Sequence, residues 1–432
     1  MKNRYDFIAI GLGPFNLSLA CLTEPVSDLK GLFLEKKTEF NWHPGLMIDG
    51  VNLQTPFLSD LVTLADPTSS YSFLNYAKSK GKLYRFYIKE DFFLLRKEYN
   101  QYCQWATSQL VNIIFDREVI DIKFCSESSL YHVISKSSSG EKLEYYTERI
   151  ILGTGPQPNL TEAIDSNATN IIHSGQYLNQ KQKLIESNDI VIVGSGQSAA
   201  EIYYDLLSSI RNYNYHLTWV TRAERFFPLE LTKLTLEMTS PDYIDYFYSL
   251  TQDKKDELIC QQKSLYKGIN SSLVNQIYDL LYELSLDGDV PTRLLTNSEL
   301  VSQSSSSLSF KQNEVEKTFS LSFDQLIMAT GFHYKTPDFL RSIMSELNLD
   351  ENKRFNVSRD YTINDNRSIF VQNAELHTHG FCAPDLGMAC YRNSKIINQM
   401  VGYEYYSVEK KVPFQEFSAD ETGFESNKGF NL

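Results

Sequence analysis

Residues 7–22 read FIAIGLGPFNLSLACL, and the fold turns on how Gly11, Gly13 and Asn16 within them are read. Tyr5 to Ile10 is a short apolar run, the pattern of a strand buried on both faces, and Leu17 to Leu22 continues as a helix. Between them Gly11 permits a tight turn, and Gly13 lets backbone approach a phosphate with no Cβ in the way. Pro14 suits the first helical position, where its missing N–H costs nothing. Free N–H groups and a partial positive charge at that helix N-terminus favour a pyrophosphate. The third glycine of G-x-G-x-x-G is replaced by Asn16, however. Alone, the stretch is read equally well as a plain glycine turn between strand and helix. It is too short and too interrupted to span a bilayer, and no small-residue cleavage site marks a signal peptide.

The next strand tips the balance. GLFLE at 31–35 is an apolar run ending in Glu35, whose carboxylate can accept hydrogen bonds from both hydroxyls of an adenosine ribose. Strand, glycine turn, helix, strand and acid make one βαβ unit. A second loop stands at 189–202, DIVIVGSGQSAAEI, with Gly194-Ser195-Gly196 as the turn, Gln197 and Ser198 opening the helix, and Ala199 at the third glycine position. Its next strand, LTWVTR, ends in Arg222 where the first unit has an acid. An acid suits a bare ribose diol, whereas an arginine suits a 2′-phosphate through a bidentate charged contact. The first site therefore reads as FAD-binding and the second as selective for NADPH over NADH; the plain alternative for Arg222 is an exposed strand end with no role. IILGTGPQP at 150–158 and FDQLIMATGFHY at 323–334 each end a buried strand in Thr-Gly, the second at Thr330-Gly331, where a glycine can bring backbone against a ligand.

Composition bounds the rest. The length of 432 residues suggests two or three domains, and 42% hydrophobic with 22% charged residues describes an ordinary globular chain. A net charge of −13 argues against nucleic acid and anionic membrane surfaces as partners. No apolar run approaches the length of a transmembrane segment. The six cysteines form no C-x-x-C, which argues against a zinc site, a redox disulfide and a disulfide scaffold alike, and points to a reducing cytoplasm. No metal site is expected. Low complexity is confined to Ser304–Ser307, read as a loop between strands, and to a polar tail from about Ser418, read as disordered.

Six stretches then carry a resemblance: GLGPFNLSLA at 11–20, FNWHPGLMIDGVNLQTPFLSDLVTLADPTSSYSFLNY at 40–76, VGSGQSAAE at 193–201, INSSLVNQIY at 269–278, ATGF at 329–332 and HTHGFCAPDL at 377–386. In this order they resemble the flavin-dependent N-hydroxylating monooxygenases, the lysine/ornithine N-monooxygenases of hydroxamate siderophore biosynthesis. The resemblance covers nearly the whole chain, and Asn16 belongs to that family's version of the fingerprint. It implies that NADPH reduces FAD, that O2 adds to form a C4a-hydroperoxyflavin, and that a neutral primary amine attacks it to give an N-hydroxylamine. It further implies that Gln54 lies near flavin and nicotinamide, that Asn270 contacts substrate and nicotinamide ribose, and that the protein is a homo-oligomer, a tetramer or dimer. Trp42 and His43 become candidates for the cofactor wall; His43, His377 and His379 are equally readable as packing residues.

Three positions depart from the amino-acid hydroxylases of the family. Their F-[LI]-K-D lysine, which pairs with a substrate carboxylate, is Ser59 here. A polar residue beside the α-amino group aligns with Leu236, and a serine after THG with Gly387. A buried carboxylate without its cation costs several kcal/mol, roughly a few tens-fold or more in binding. A decarboxylated amine (putrescine, cadaverine or histamine) is therefore favoured over L-lysine or L-ornithine, unless Lys82 or Arg85 supplies the missing charge.

The expected fold is α/β, with two Rossmann-like dinucleotide-binding domains, the NADPH domain inserted in the FAD domain, and a small helical substrate part. The expected boundaries are 1–180 and 321–432 for FAD, and 181–320 for NADPH with helices at about 225–290. A disulfide reductase would need a close cysteine pair, and a carbon- or sulfur-oxygenating flavin monooxygenase an F-x-G-x-x-x-H-x-x-x-W signature; neither is present. Steady NADPH oxidation separates an enzyme from a non-catalytic nucleotide-binding protein.

Overall fold

The computed structural model describes residues 3–165 and 168–418, so the polar tail beyond Ser418 lies outside the described residues. Strand Arg4–Ile10 sorts its side chains by alternation. Phe7 and Ala9 join Leu17 and Leu19 of helix Pro14–Thr23 in one apolar cluster, while Ile8 and Ile10 join a second cluster on the opposite face. A strand covered on both faces has no polar side, and each fully buried Ile or Phe stabilises by about 1.5–3 kcal/mol.

Around this strand an outer sheet is ordered Ile113–Ile114, Gly31–Leu34, Arg4–Ile10, Lys142–Leu152, Leu130–Lys136, Glu118–Cys125, with Ile369–Val371 also against Lys142–Leu152. The long strand Lys142–Leu152 serves two neighbourhoods. Its first half pairs antiparallel with Leu130–Lys136, and its second half runs parallel to both Arg4–Ile10 and Ile369–Val371, with Ile150 opposite Ile8 and Ile369.

The inner sheet is wholly parallel: Ile171–His173, Gln325–Met328, Asp189–Val193, His216–Val220 and Thr292–Leu295. This sheet draws one strand from either side of the expected 181–320 span. Ile171–His173 precedes 181 yet is the edge of this sheet, and Gln325–Met328 follows 320 yet stands second in it. Glycine loops mark where a nucleotide turn lies, not where its sheet begins; a three-residue strand carries no periodicity to betray it. The chain crosses between the two units at Gln157–Pro158 and Phe332–His333, which pair with each other antiparallel.

Within the insertion, residues 225–290 carry helices Lys233–Leu236, Pro241–Ser249, Gln252–Gln261 and Ser271–Ser285. A three-stranded meander, Ser298–Gln303, Ser307–Gln312 and Lys317–Ser322, follows, with the serine run at its first turn. Among the described residues no helix is long and apolar enough to cross a membrane, and no three His, Cys, Asp or Glu side chains cluster as a metal site.

Candidate nucleotide sites and the space between them

The two glycine turns are built alike. Gly11 has φ 84°, and a Cβ there would stand 2.5 Å from the Gly153 carbonyl oxygen; one on Gly194 would stand 2.2 Å from that of Ala329. Each first glycine thus abuts a strand end that leads into Thr-Gly, which explains why the two features recur together. Each following helix, Pro14–Thr23 and Gln197–Leu207, starts at a glycine with no side-chain cap and no acid in its first turn. Omitting a cap forgoes about 1 kcal/mol and leaves the first N–H groups to an outside acceptor. A Cβ on Gly13 would meet nothing within 4 Å, and one on Gly196 only the Lys267 carbonyl oxygen at 3.5 Å. Open space, free donors and the positive helix end together fit a diphosphate at each turn.

At the first turn, Glu35 is buried and ties the loop to the second strand. Its Oε2 accepts from Leu12 N–H (2.6 Å) and its Oε1 from Lys37 N–H (2.9 Å). Asn16 is fully buried and points inward, a duty its place in the fingerprint does not reveal. Its Nδ2 donates to Gly11 O (2.7 Å), and its Oδ1 accepts from Gln372 Nε2 (2.9 Å). Gln372 also donates to Asn393 Oδ1, and Asn393 donates to Ser18 Oγ, both at 2.9 Å. The first turn is thereby propped by residues from the far end of the chain.

The second turn is held from outside by Trp219, whose Nε1 donates to Gly194 O (2.8 Å). Ser195 and Ser198 flank the turn, half-buried, and Arg222 is exposed with no ion pair among the described residues. Lys267, absent from the sequence reading, lies close by; burial, Lys263 and Arg222 together lower its pKa. Thr330 gives its hydroxyl to Asn159 O, so its side chain serves the crossing between units rather than an open face.

Between the turns a polar chain joins the units. Arg96 makes a bidentate pair with Glu201 (2.8 and 2.7 Å), with side chains 12% and 1% exposed. Glu201 Oε1 accepts from Gln197 Nε2 (2.9 Å), and Gln197 Oε1 accepts from the Asn270 N–H (2.8 Å) and from Gln54 Nε2 (3.4 Å). Gln197, expected at the nucleotide, is thus the hub that brings Gln54 and Asn270 together. Asn270 also caps helix Ser271–Ser285, its Oδ1 accepting from Ser272 N–H (2.9 Å), which leaves Nδ2 as the donor for a ligand. Arg96 and Glu201 carried no sequence signal beyond four-residue spacing between Gln197 and Glu201.

Trp42 packs against Tyr99 and His43, and His43 against Phe332. Burial, then Arg96 and Lys37, push His43 down to about 4, so it is uncharged at neutral pH. His377 bonds Phe355 O (2.8 Å), and His379 stacks on Tyr361; burial lowers both. These are packing histidines in their contacts.

Ser59 and Gly387 meet. A Cβ on Gly387 would lie 3.1 Å from Ser59 Oγ and 3.0 Å from Asp385 Oδ1. Leu236 is 46% exposed at the end of Lys233–Leu236. Lys82 lines a surface groove with Gln104 and Trp105, and Arg85 is exposed.

Residues 3–334 match the family described as L-lysine 6-monooxygenase/L-ornithine 5-monooxygenase. The putrescine N-hydroxylase of Shewanella oneidensis is 48% identical over 421 residues, 96% of this chain and 84% of that protein. That of Acinetobacter baumannii is also 48% identical, over 96% of this chain and 94% of its own. Among solved structures, the FAD-bound cadaverine monooxygenase of desferrioxamine biosynthesis from Erwinia amylovora superposes with a TM-score of 0.95 at 52% identity, covering 97% of this chain and 99% of that one.

Proposed function

The chain belongs to the L-lysine 6-monooxygenase/L-ornithine 5-monooxygenase family, and from that premise we propose that it N-hydroxylates a short aliphatic diamine for siderophore assembly. Amine, O2, NADPH and a proton give hydroxylamine, water and NADP+. The observation that carries the choice of a diamine is the near-full-length likeness, at 48% and 52% identity, to enzymes named for putrescine and cadaverine.

Bound FAD supplies the redox chemistry, accepting electrons from NADPH and delivering one oxygen atom of O2 to nitrogen, so the protein is left to position and to exclude water. In this reading the N–H groups after Gly13 hold the FAD diphosphate, and Glu35 holds its ribose. The helix start at Gly196 does the same for NADPH, with Arg222 on the 2′-phosphate. Gln197 fixes Asn270 and Gln54 relative to each other, and Asn270 Nδ2 orients the bound molecules between the units. The attacking nitrogen must carry its lone pair, and an alkylammonium loses its proton near pH 10. Turnover therefore rises from neutral towards alkaline pH.

The test is a hydroxylamine assay on the FAD-loaded enzyme with putrescine, cadaverine, histamine, L-ornithine and L-lysine. A diamine is expected to turn over best with the least peroxide released. Clear preference for either amino acid overturns the substrate.

A further inference from the structure

We propose that Asp385 is the counter-ion of the diamine's non-reacting ammonium, and that Ser59 and Gly387 keep the space beside it open. The inference rests on the diamine reading and deepens it at the same site.

Asp385 is held in a defined orientation. It precedes the short turn Leu386–Met388, and its Oδ1 accepts from the Gly387 N–H at 2.7 Å. The Met388 N–H also acts on the carboxylate, which forms no ion pair among the described residues. The cation that acts on this carboxylate is Arg392, whose Nη2 reaches Glu375 Oε1 at 2.6 Å and Ala383 O at 2.5 Å while its Nε and Nη1 have no hydrogen-bond partner among the described residues. Burial raises the Asp385 carboxyl against the opposing pull of the Gly387 N–H, Arg392 and the Met388 N–H. A recessed carboxylate with no ion pair of its own is costly, and an arriving ammonium relieves that cost.

The walls have complementary chemistry. Asp385 Oδ1 and Ser59 Oγ converge beside Gly387, at 3.0 Å and 3.1 Å from where its side chain would begin. A side chain on residue 387 would crowd both oxygens. Ser59 is buried, contributes a neutral oxygen, and adds no charge to compete for the carboxylate. An α-amino acid would bring its own carboxylate towards Asp385 and be repelled, whereas a diamine brings only a cation. The same side chain thus attracts one substrate class and rejects the other.

The test compares a diamine with the monoamine that lacks the distal ammonium. Wild-type and Asp385→Asn holoenzymes are assayed with putrescine and n-butylamine, and putrescine binding to the oxidised holoenzyme is measured by calorimetry. Asparagine keeps the acceptor for Gly387 N–H. The expected result is a KM for putrescine raised roughly 30-fold or more, with butylamine little changed and kcat less affected than KM. Asp385→Glu should restore part of the diamine preference. An unchanged putrescine-to-butylamine ratio in Asp385→Asn overturns the proposal while leaving the diamine reading standing. Failure of the wild type to hydroxylate any diamine overturns that reading instead. Should Asp385→Asn not fold, Ser59→Lys neutralises the carboxylate from within, and undiminished putrescine binding there overturns the proposal equally.

Discussion

The third fingerprint position and the strand-end charge are fastened at the first glycine turn and left free at the second. Around Gly11 to Gly13, the acid at the strand end already accepts two backbone N–H groups, and the third fingerprint position is a buried asparagine locked into Gln372 and Asn393. Around Gly194 to Gly196, the third position is Ala199 and the strand-end Arg222 is exposed and unpaired among the described residues. The same local geometry is thus supported in two ways. A pre-organised turn suits a cofactor that stays, and an open turn flanked by an uncommitted cation suits one that arrives and leaves each cycle.

The contrast breaks most visibly where the units are tied. Arg96→Ala would leave Glu201 buried without its cation, and unfolding by denaturant should show a loss of about 3–5 kcal/mol. The exposed pair Arg4–Glu148, with side chains 56% and 38% exposed, is the control, and Arg4→Ala should cost under about 0.5 kcal/mol. Equal effects would mean the tie holds nothing.

The next effect separates the turns themselves. Asn16→Ala strands Gly11 O and takes one of the two acceptors from Gln372 Nε2, and should cost about 2–4 kcal/mol, with loss of FAD during purification. Ala199→Gly at the matching place should cost about 1 kcal/mol through helix propensity alone. Comparable losses would erase the distinction between a fastened and an open turn.

Arg222→Ala leaves stability unchanged and should weaken NADPH by about 2 kcal/mol in a binding titration, with NADH affected far less. Equal losses for both would remove Arg222 from the 2′-phosphate. The last substitutions discriminate two duties of one residue. Asn270→Ala loses both the helix cap, about 1 kcal/mol, and the Nδ2 donor; Asn270→Asp keeps the cap. Both should oxidise NADPH with more peroxide and less hydroxylamine. An aspartate variant that couples like wild type would leave Asn270 only its cap.

What the sequence disclosed was local. Strand, glycine turn, helix and acid fall within thirty-odd residues, so spacing alone located both turns. What it concealed depended on distance along the chain. Glu201 finds Arg96 across 105 residues, and Asn16 finds Gln372 across 356, and no periodicity records such meetings. Gln197 stood inside a recognised fingerprint, but its bond to Glu201, four residues on along the helix face, was not legible from that fingerprint. Ser59 and Gly387 were noticed as departures, but their common neighbour Asp385 was visible only once folding set a loop near residue 59 against one near residue 387. The two strands outside 181–320 share this cause, since the inner sheet recruits one from before its glycine turn and one from long after it.

The propping of the first turn by Gln372 and Asn393 sets an order in time. On the ribosome Gly11 emerges at the start, yet the side chains that brace its loop come almost last, a delay on the order of half a minute at ordinary synthesis rates. All strands of the inner sheet lie between Ile171 and Met328, so that unit is complete while the outer sheet still lacks Ile369–Val371. The nascent chain therefore carries a finished domain inside an unfinished one, with the Lys142–Leu152 edge unpaired in the interval. Truncation or stalling before residue 393 should therefore leave a sound inner unit and a slack first turn.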